Sequence, residues 1–202
     1  MRRLLLAIIG VYMRLYHRLE LQCGELLPLH GPALILLNHA SLLDVPALMV
    51  LDPYPDTITI AKASLFKVPV VSWMLRQWHA IPVERQGRDS SGVRQLLGAL
   101  RNGHVVAIAA EGTRTRSGRL GPINPVLAKI ATLADVPLVP VGVIGSYAAL
   151  PPGAVLPRPA KITVRVGRTF HLERGTDPAE AARRIQAEIA ALLAPEQQPA
   201  PQ

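Results

Sequence analysis

Short apolar runs alternate along this chain with segments of helical periodicity, and each run is too brief to be a core helix. Residues 33–37, 57–61, 80–83, 105–110, 138–144 and 161–166 read as strands, rich in β-branched residues or continuously apolar. Residues 41–51, 69–78, 91–101, 125–134 and 177–193 read as helices. Serine opens 91–101 and Gly103 follows it, while Asp177-Pro178 supplies an N-cap and first-turn proline. A βαβα order of this kind predicts a single α/β domain with a mostly parallel sheet flanked by helices. The length of 202 residues suits one domain with its own core. Half the residues are hydrophobic and 18% are charged, which excludes a disordered chain. The 19 prolines exclude a coiled coil.

The first residues form a different kind of element. Arg2 and Arg3 precede an apolar run over 4–13 that only Gly10 interrupts. As a helix that run is about 15 Å long, half the hydrocarbon thickness of a bilayer. A signal peptide shares the basic start and short apolar stretch, but the Tyr-Met-Arg-Leu-Tyr that follows carries no small-x-small cleavage site. At about 100° per residue, Arg2, Arg3, Arg14, His17, Arg18 and Glu20 gather on one side. Leu4, Leu5, Ile8, Ile9, Val11, Leu15 and Leu19 gather on the other. This pattern predicts an amphipathic helix over 1–20 lying on an anionic membrane, with Arg2, Arg3, Arg14 and Arg18 against headgroups. The plainer alternative is a surface helix docked on its own core. Residues 21–194 then make the α/β domain, and 195–202 a flexible polar tail.

Charge agrees with an anionic partner: 22 basic residues against 14 acidic give a net charge of +8. Lysine stands only at 62, 67, 129 and 161, so the charge is mostly guanidinium, the better fork for phosphate. Aromatics at 4% argue against a base-stacking platform and hence against nucleic acid. Cys23 is the only cysteine, so no internal disulfide exists and a reducing compartment is the simplest setting.

Ligands of open α/β sheets gather beyond the carboxyl ends of the strands, and two polar clusters fall there. One is Asn38-His39-Ala40-Ser41-Leu42-Leu43-Asp44. On one continuous helix His39 and Asp44 would point about 140° apart. If the helix starts at Ser41, Asp44 lies in its first turn and can reach back to the ring of His39. The competing reading is a capping box, Ser41-x-x-Asp44, with no chemistry. The other cluster is Glu111-Gly112-Thr113-Arg114, continuing through Arg116 to Arg119. Glycine lets backbone amides approach an anion and arginine supplies the fork, although a solvated basic loop would look the same. Arg85 ends the strand over 80–83 and in isolation is an ordinary surface arginine. No metal-ligand spacing, Gly-x-Ser-x-Gly elbow or Gly-x-Gly-x-x-Gly loop occurs, so no metal or cofactor is expected.

Taken together, His39/Asp44, the arginine motif at 81–85, the Glu-Gly-Thr-Arg at 111–114 and the proline-bearing strand at 136–141 resemble the lysophosphatidic acid acyltransferase family, in order and spacing. The resemblance runs from about Leu21 to Phe170 and includes Ala61-Lys62. It implies transfer of an acyl group from acyl-CoA or acyl-acyl carrier protein to the hydroxyl of lysophosphatidic acid. His39 would be the general base and Asp44 its orienting partner. Arg85, Glu111, Gly112, Thr113 and Arg114 would hold the acceptor phosphate, with Lys62 as a further substrate contact. The donor would be a co-substrate and no cofactor would be needed. The implied location is the cytoplasmic face of the cell membrane, as a peripheral or monotopic protein. One departure stands out: where the family has Phe-Lys-x-Gly, this chain has Ile123-Asn124-Pro125-Val126. Another lysolipid or an aminolipid is therefore an alternative acceptor, and a non-catalytic anionic-membrane module is the alternative of another class.

Overall fold

The computed structural model describes residues 2–23, 31–51, 57–83 and 90–200. Helix α1 (Arg2–Tyr16) leads into strand β1 (Glu20–Cys23). Then follow β2 (Ala33–Leu37), α2 (Asp44–Leu51), β3 (Ile58–Lys62), α3 (Pro69–Gln77) and β4 (Ile81–Val83). Next come α4 (Ser90–Arg101), β5 (Val105–Ala109), α5 (Pro125–Ala134) and β6 (Leu138–Ile144). A short α6 (Ser146–Ala149), β7 (Thr163–Val166) and α7 (Pro178–Ala190) complete the domain.

The seven strands form one sheet in the order β1-β7-β6-β2-β5-β3-β4. Every pairing is parallel except β6 with β7, so the expected mostly parallel sheet is what forms. All of β2 is buried, which explains its unbroken apolar run: a central parallel strand has core on both faces. Alternate residues feed two cores. Leu34 and Leu36 join Val106, Ile108 and Leu138 beneath α4, α5 and α7. Ala33, Ile35 and Leu37 join Val139 and Val141 beneath α1 and α2.

Several boundaries differ from the sequence reading. The helix expected from 41 begins at Asp44, because residues 41–43 are spent on the turn that holds the candidate site. Strand β1 was not expected; it is an edge strand paired in register with β7, Glu20 opposite Thr163, and only that partner reveals it. The start of the expected free tail is docked. Pro195–Gln197 makes a 3-10 turn, Gln197 is buried, and its carbonyl accepts from Leu120 N at 2.8 Å.

Helix α1 is apolar on two sides, which the wheel does not convey. Met13 is fully buried and Ile9 partly so, against α2 and the sheet. Leu4, Ile8, Val11 and Leu15 face outward and are 56–79% exposed. Arg14 and Arg18 are exposed beside them.

His17, expected on the polar face, is instead fully buried. Its Nε2 lies 3.1 Å from Tyr12 Oη and its Nδ1 3.3 Å from Ala160 O, so both ring nitrogens have partners inside. Burial lowers its pKa below the usual imidazole value, partly offset by the Ala160 carbonyl. The unfolded chain therefore binds this proton more readily than the fold does. The stability contributed by neutral His17 is complete above about pH 6.5 and is lost as pH falls toward its lowered value. Denaturant titrations at pH 7.5 and 5.5 should show wild type losing more stability than His17→Phe. Equal losses would mean the ring is not the titrating group.

Candidate active site

The site sits where β2 and β5, adjacent in the sheet, both end. Beyond β2, Asn38 is buried and stitches the strand end to β6: its Nδ2 donates to Val143 O at 3.0 Å and its Oδ1 accepts from Val143 N at 2.7 Å. The chain then turns sharply. Ser41 Oγ donates to Leu150 O at 2.8 Å and accepts from Leu43 N at 3.1 Å. The carboxylate of Asp44, fully buried, accepts through Oδ2 from Ala40 N and Ser41 N, both at 2.8 Å.

The same Oδ2 lies 2.9 Å from His39 Nδ1. The capping interaction and the His-Asp pair are thus one structure rather than alternatives. Oδ2 already accepts from two backbone amides, so the hydrogen in its contact with the ring comes from Nδ1. Nε2 is left as a lone-pair acceptor. The His39 side chain is 12% exposed, enough to meet a substrate while shielded from bulk water.

Glu111 locks this turn from the second strand. Its Oε1 accepts from His39 N at 2.9 Å and its Oε2 from Gly121 N at 3.0 Å. Thr115 N donates to His39 O at 2.8 Å, so both backbone groups of the histidine are held by the loop over 111–121. Burial pushes the Glu111 carboxyl above its usual value, and the two amides partly offset that. Each Glu111 oxygen thus accepts from one backbone amide. Gly112 follows in the left-handed region (φ 71°), and a Cβ there would lie 2.6 Å from Asn124 Nδ2.

A cavity of about 610 Å³ opens beside His39, Glu111, Gly112 and Thr113. Leu48, Ile60, Val93, Leu96, Leu127 and Ile130 also line it, drawn from both apolar cores. Its wall is mainly hydrocarbon, suited to an alkyl chain; His39, Glu111, Gly112, Thr113 and Asn124 supply one polar cluster, and Thr59 and Lys62 of β3 add polar atoms. Lys62, at the end of β3, also lines it. Arg114 is half-buried but is not part of the lining. Arg85 and the side chains of Arg2 and Arg3 lie outside the described residues. Among the described residues, no group of three His, Cys, Asp or Glu side chains could hold a metal.

Asn124 is a wall residue that residue-type reasoning passes over, because asparagine is an ordinary N-cap. Its Oδ1 caps α5 by accepting from Val126 N at 2.9 Å. Its Nδ2 is thereby directed against Gly112 at the polar end of the cavity. Asn124 and Val126 of the departure at 123–126 thus line the cavity.

The comparisons with known proteins agree with this architecture. The Acyltransferase family model matches residues 18–144. A chloroplastic 1-acyl-sn-glycerol-3-phosphate acyltransferase of Brassica napus is 29% identical over 151 residues, covering 73% of this chain and 43% of that protein. A 1-acyl-sn-glycerol-3-phosphate acyltransferase of Bacillus subtilis is 29% identical over 148 residues, covering 73% of this chain and 71% of its own length. The chain spans less than half the length of the plant relatives it matches. The crystal structure of the 1-acyl-sn-glycerophosphate acyltransferase of Thermotoga maritima superposes with a TM-score of 0.78 at 21% identity. That match covers 95% of this chain and 79% of the other, and it bears on the fold. The matched span holds His39, Asp44 and the Glu111–Gly121 clasp within one continuous domain, and on that ground the chain belongs to the acyltransferase family.

Proposed function

We propose that this protein transfers a fatty acyl group from an acyl thioester to the free hydroxyl of lysophosphatidic acid, giving phosphatidic acid. The observation that carries the reading is the His39 Nδ1–Asp44 pair at the polar end of an otherwise apolar cavity. The relatives from Brassica napus and Bacillus subtilis, named for acylation of 1-acyl-sn-glycerol-3-phosphate, support the same acceptor.

In this mechanism His39 Nε2 removes the hydroxyl proton as the oxygen attacks the thioester carbonyl. The imidazolium that forms is stabilised by Asp44. Collapse forms the ester C–O bond and breaks the C–S bond. The thiolate leaves and takes the proton from His39. No nucleophilic side chain is required. The acyl chain occupies the cavity, whose volume of about 610 Å³ is of the size ligand pockets commonly have. The donor is acyl-CoA or acyl-acyl carrier protein. Arg114, with Gly112 and Thr113 and with Arg85 and Lys62 nearby in the resemblance, receives the acceptor phosphate. Glu111 serves by holding His39.

Helix α1 is the membrane foot in this reading, its exposed Leu4, Ile8, Val11 and Leu15 entering the bilayer while Arg14 and Arg18 meet anionic headgroups. Among the described residues no helix is long and apolar enough to cross a membrane. In this reading the attachment is monotopic, on the cytoplasmic face.

The test is thiol release by the purified protein in mixed micelles, with lysophosphatidic acid and then other lysolipids and an aminolipid offered against both donor types. Release that requires lysophosphatidic acid supports the reading. Release only with another acceptor retains the mechanism and reassigns the acceptor. Asn124 gives the second reading its ground, since a neutral amide stands where the family carries lysine. Asn124→Asp keeps the helix cap, removes both N–H donors of that side chain and adds a negative charge that a phosphate would also feel. We expect it to raise the acceptor KM by about tenfold, the loss of one hydrogen bond to a charged group. An unchanged acceptor KM would remove Asn124 from the binding site.

A further inference from the structure

The most exposed large apolar side chain among the described residues is not on α1. Val155 is 90% exposed and Leu156 78%, in the loop over 151–160 between α6 and β7. Two adjacent aliphatic side chains held in water at a loop tip give the fold nothing, because they bury no surface in it. The loop is nevertheless tightly held. Prolines at 151, 152, 157 and 159 restrict its backbone. Ala154 N donates to Pro151 O at 3.0 Å and Arg158 N to Ala149 O at 2.7 Å. The tip is therefore presented in a fixed shape.

What holds the loop also says what it faces. Tyr16, at the end of α1, donates from Oη to Pro157 O at 3.1 Å, and the buried His17 ring meets Ala160 O. The loop thus abuts the end of the helix whose outer stripe terminates at Leu15, 79% exposed. Exposed Arg158 follows the tip, and exposed Arg14 and Arg18 lie on and just beyond α1. Apolar side chains ringed by guanidinium groups match the layering of an anionic bilayer, with acyl chains below and phosphates above. A second tie leads to the catalytic turn: Leu150, which opens into the loop, accepts from Ser41 Oγ, and Leu42 in that turn is 52% exposed.

We propose that the loop over 151–160 is a second membrane-inserting element, with Val155 and Leu156 as an apolar wedge in an anionic lipid surface. This rests on the membrane foot proposed above and extends it: α1 and the loop make two points of contact. Two points fix the orientation of the domain on the bilayer, whereas one helix leaves rotation about its axis free. The catalytic turn, tied to Leu150, is then held at the surface where a lysolipid resides.

The experiment uses the full chain carrying Cys23→Ser and Leu156→Cys, labelled at 156 with an environment-sensitive fluorophore. The vesicles are phosphatidylglycerol-rich, with phosphatidylcholine vesicles for comparison. Flotation reports binding, and quenching by aqueous iodide or by lipid spin-labelled on its acyl chain reports depth. We expect the label to lose most of its iodide quenching and gain lipid quenching on vesicles. In parallel, Val155→Ser with Leu156→Ser should weaken vesicle affinity by roughly tenfold to a hundredfold, the value of two partly buried aliphatic side chains. Thiol release from micellar substrate should stay at the wild-type level.

A label that stays iodide-accessible on protein that floats overturns the wedge and leaves the α1 foot standing. A label buried in concentrated protein without lipid overturns it in favour of self-association. Wild-type protein that does not float overturns wedge and foot together. Inserted label without thiol release from wild type would instead overturn the acyltransferase reading alone.

Discussion

Replacing His39 with alanine is expected to lower kcat for acyl transfer by about 10²–10⁴-fold, the usual worth of a positioned general base. The fold and vesicle binding should persist, because the ring is at the rim and its backbone bonds to Glu111 and Thr115 remain. Asp44→Asn is the finer probe. The amides of Ala40 and Ser41 both point at Oδ2, so an asparagine must present its carbonyl oxygen there. The tautomer of His39 is then preserved, the negative charge is lost, and the NH₂ takes the buried place of Oδ1, which has no hydrogen-bond partner. A charge-assisted hydrogen bond is worth about 1.5–3 kcal/mol, so kcat should fall roughly 10- to 150-fold. Single-turnover thiol release measures both. Wild-type kcat in His39→Ala would remove histidine from the chemistry. Equal losses in the two variants would mean that Asp44 does more than stabilise the charged ring.

Glu111→Gln is expected to produce the second large loss. The glutamate accepts one amide on each oxygen. A glutamine can satisfy only one of these and must turn its own NH₂ against the other. A buried amide left without an acceptor costs about 1–3 kcal/mol of stability. The catalytic consequence follows from position. His39 N is one of the two amides, and a displacement on the order of 1 Å near a reacting group can cost about 10²-fold in rate. We expect kcat to fall by about that factor with the acceptor KM little changed. A phosphate-binding role predicts the reverse, a raised KM with kcat retained. Gly112→Ala should be at least as damaging, because the residue has a φ of 71° and a Cβ would collide with Asn124 Nδ2.

These two results would bear on different layers of the molecule, and the layers differ in how far residue order exposes them. The strand-helix rhythm was readable because each buried parallel strand must be apolar throughout, as in 33–37, and each flanking helix must carry a 3.6-residue period, as in 125–134. The His39-x₄-Asp44 spacing was readable for a local reason: a turn of fixed length brings two nearby residues together. Even so, the sequence left the capping box and the catalytic pair as rivals. Only the folded chain brings one oxygen of Asp44 to both tasks.

The remainder depends on contacts between residues far apart in the chain, which local periodicity cannot encode. Strand β1 exists because β7 offers it an edge across more than a hundred residues. His17 is polar on a wheel, yet the carbonyl of Ala160 gives it a partner and so permits its burial. Glu111 sits in a motif that reads as an anion loop, but His39 N and Gly121 N consume both its oxygens. The sequence by itself determined the class of fold, which is written in periodicity, and it carried the His39-x₄-Asp44 spacing and the ordered motifs that resemble the family. Tertiary structure alone decided which face of α1 is free, what Glu111 holds, and where the cavity runs. Those depend on which distant backbone groups remain to be satisfied once the sheet has closed.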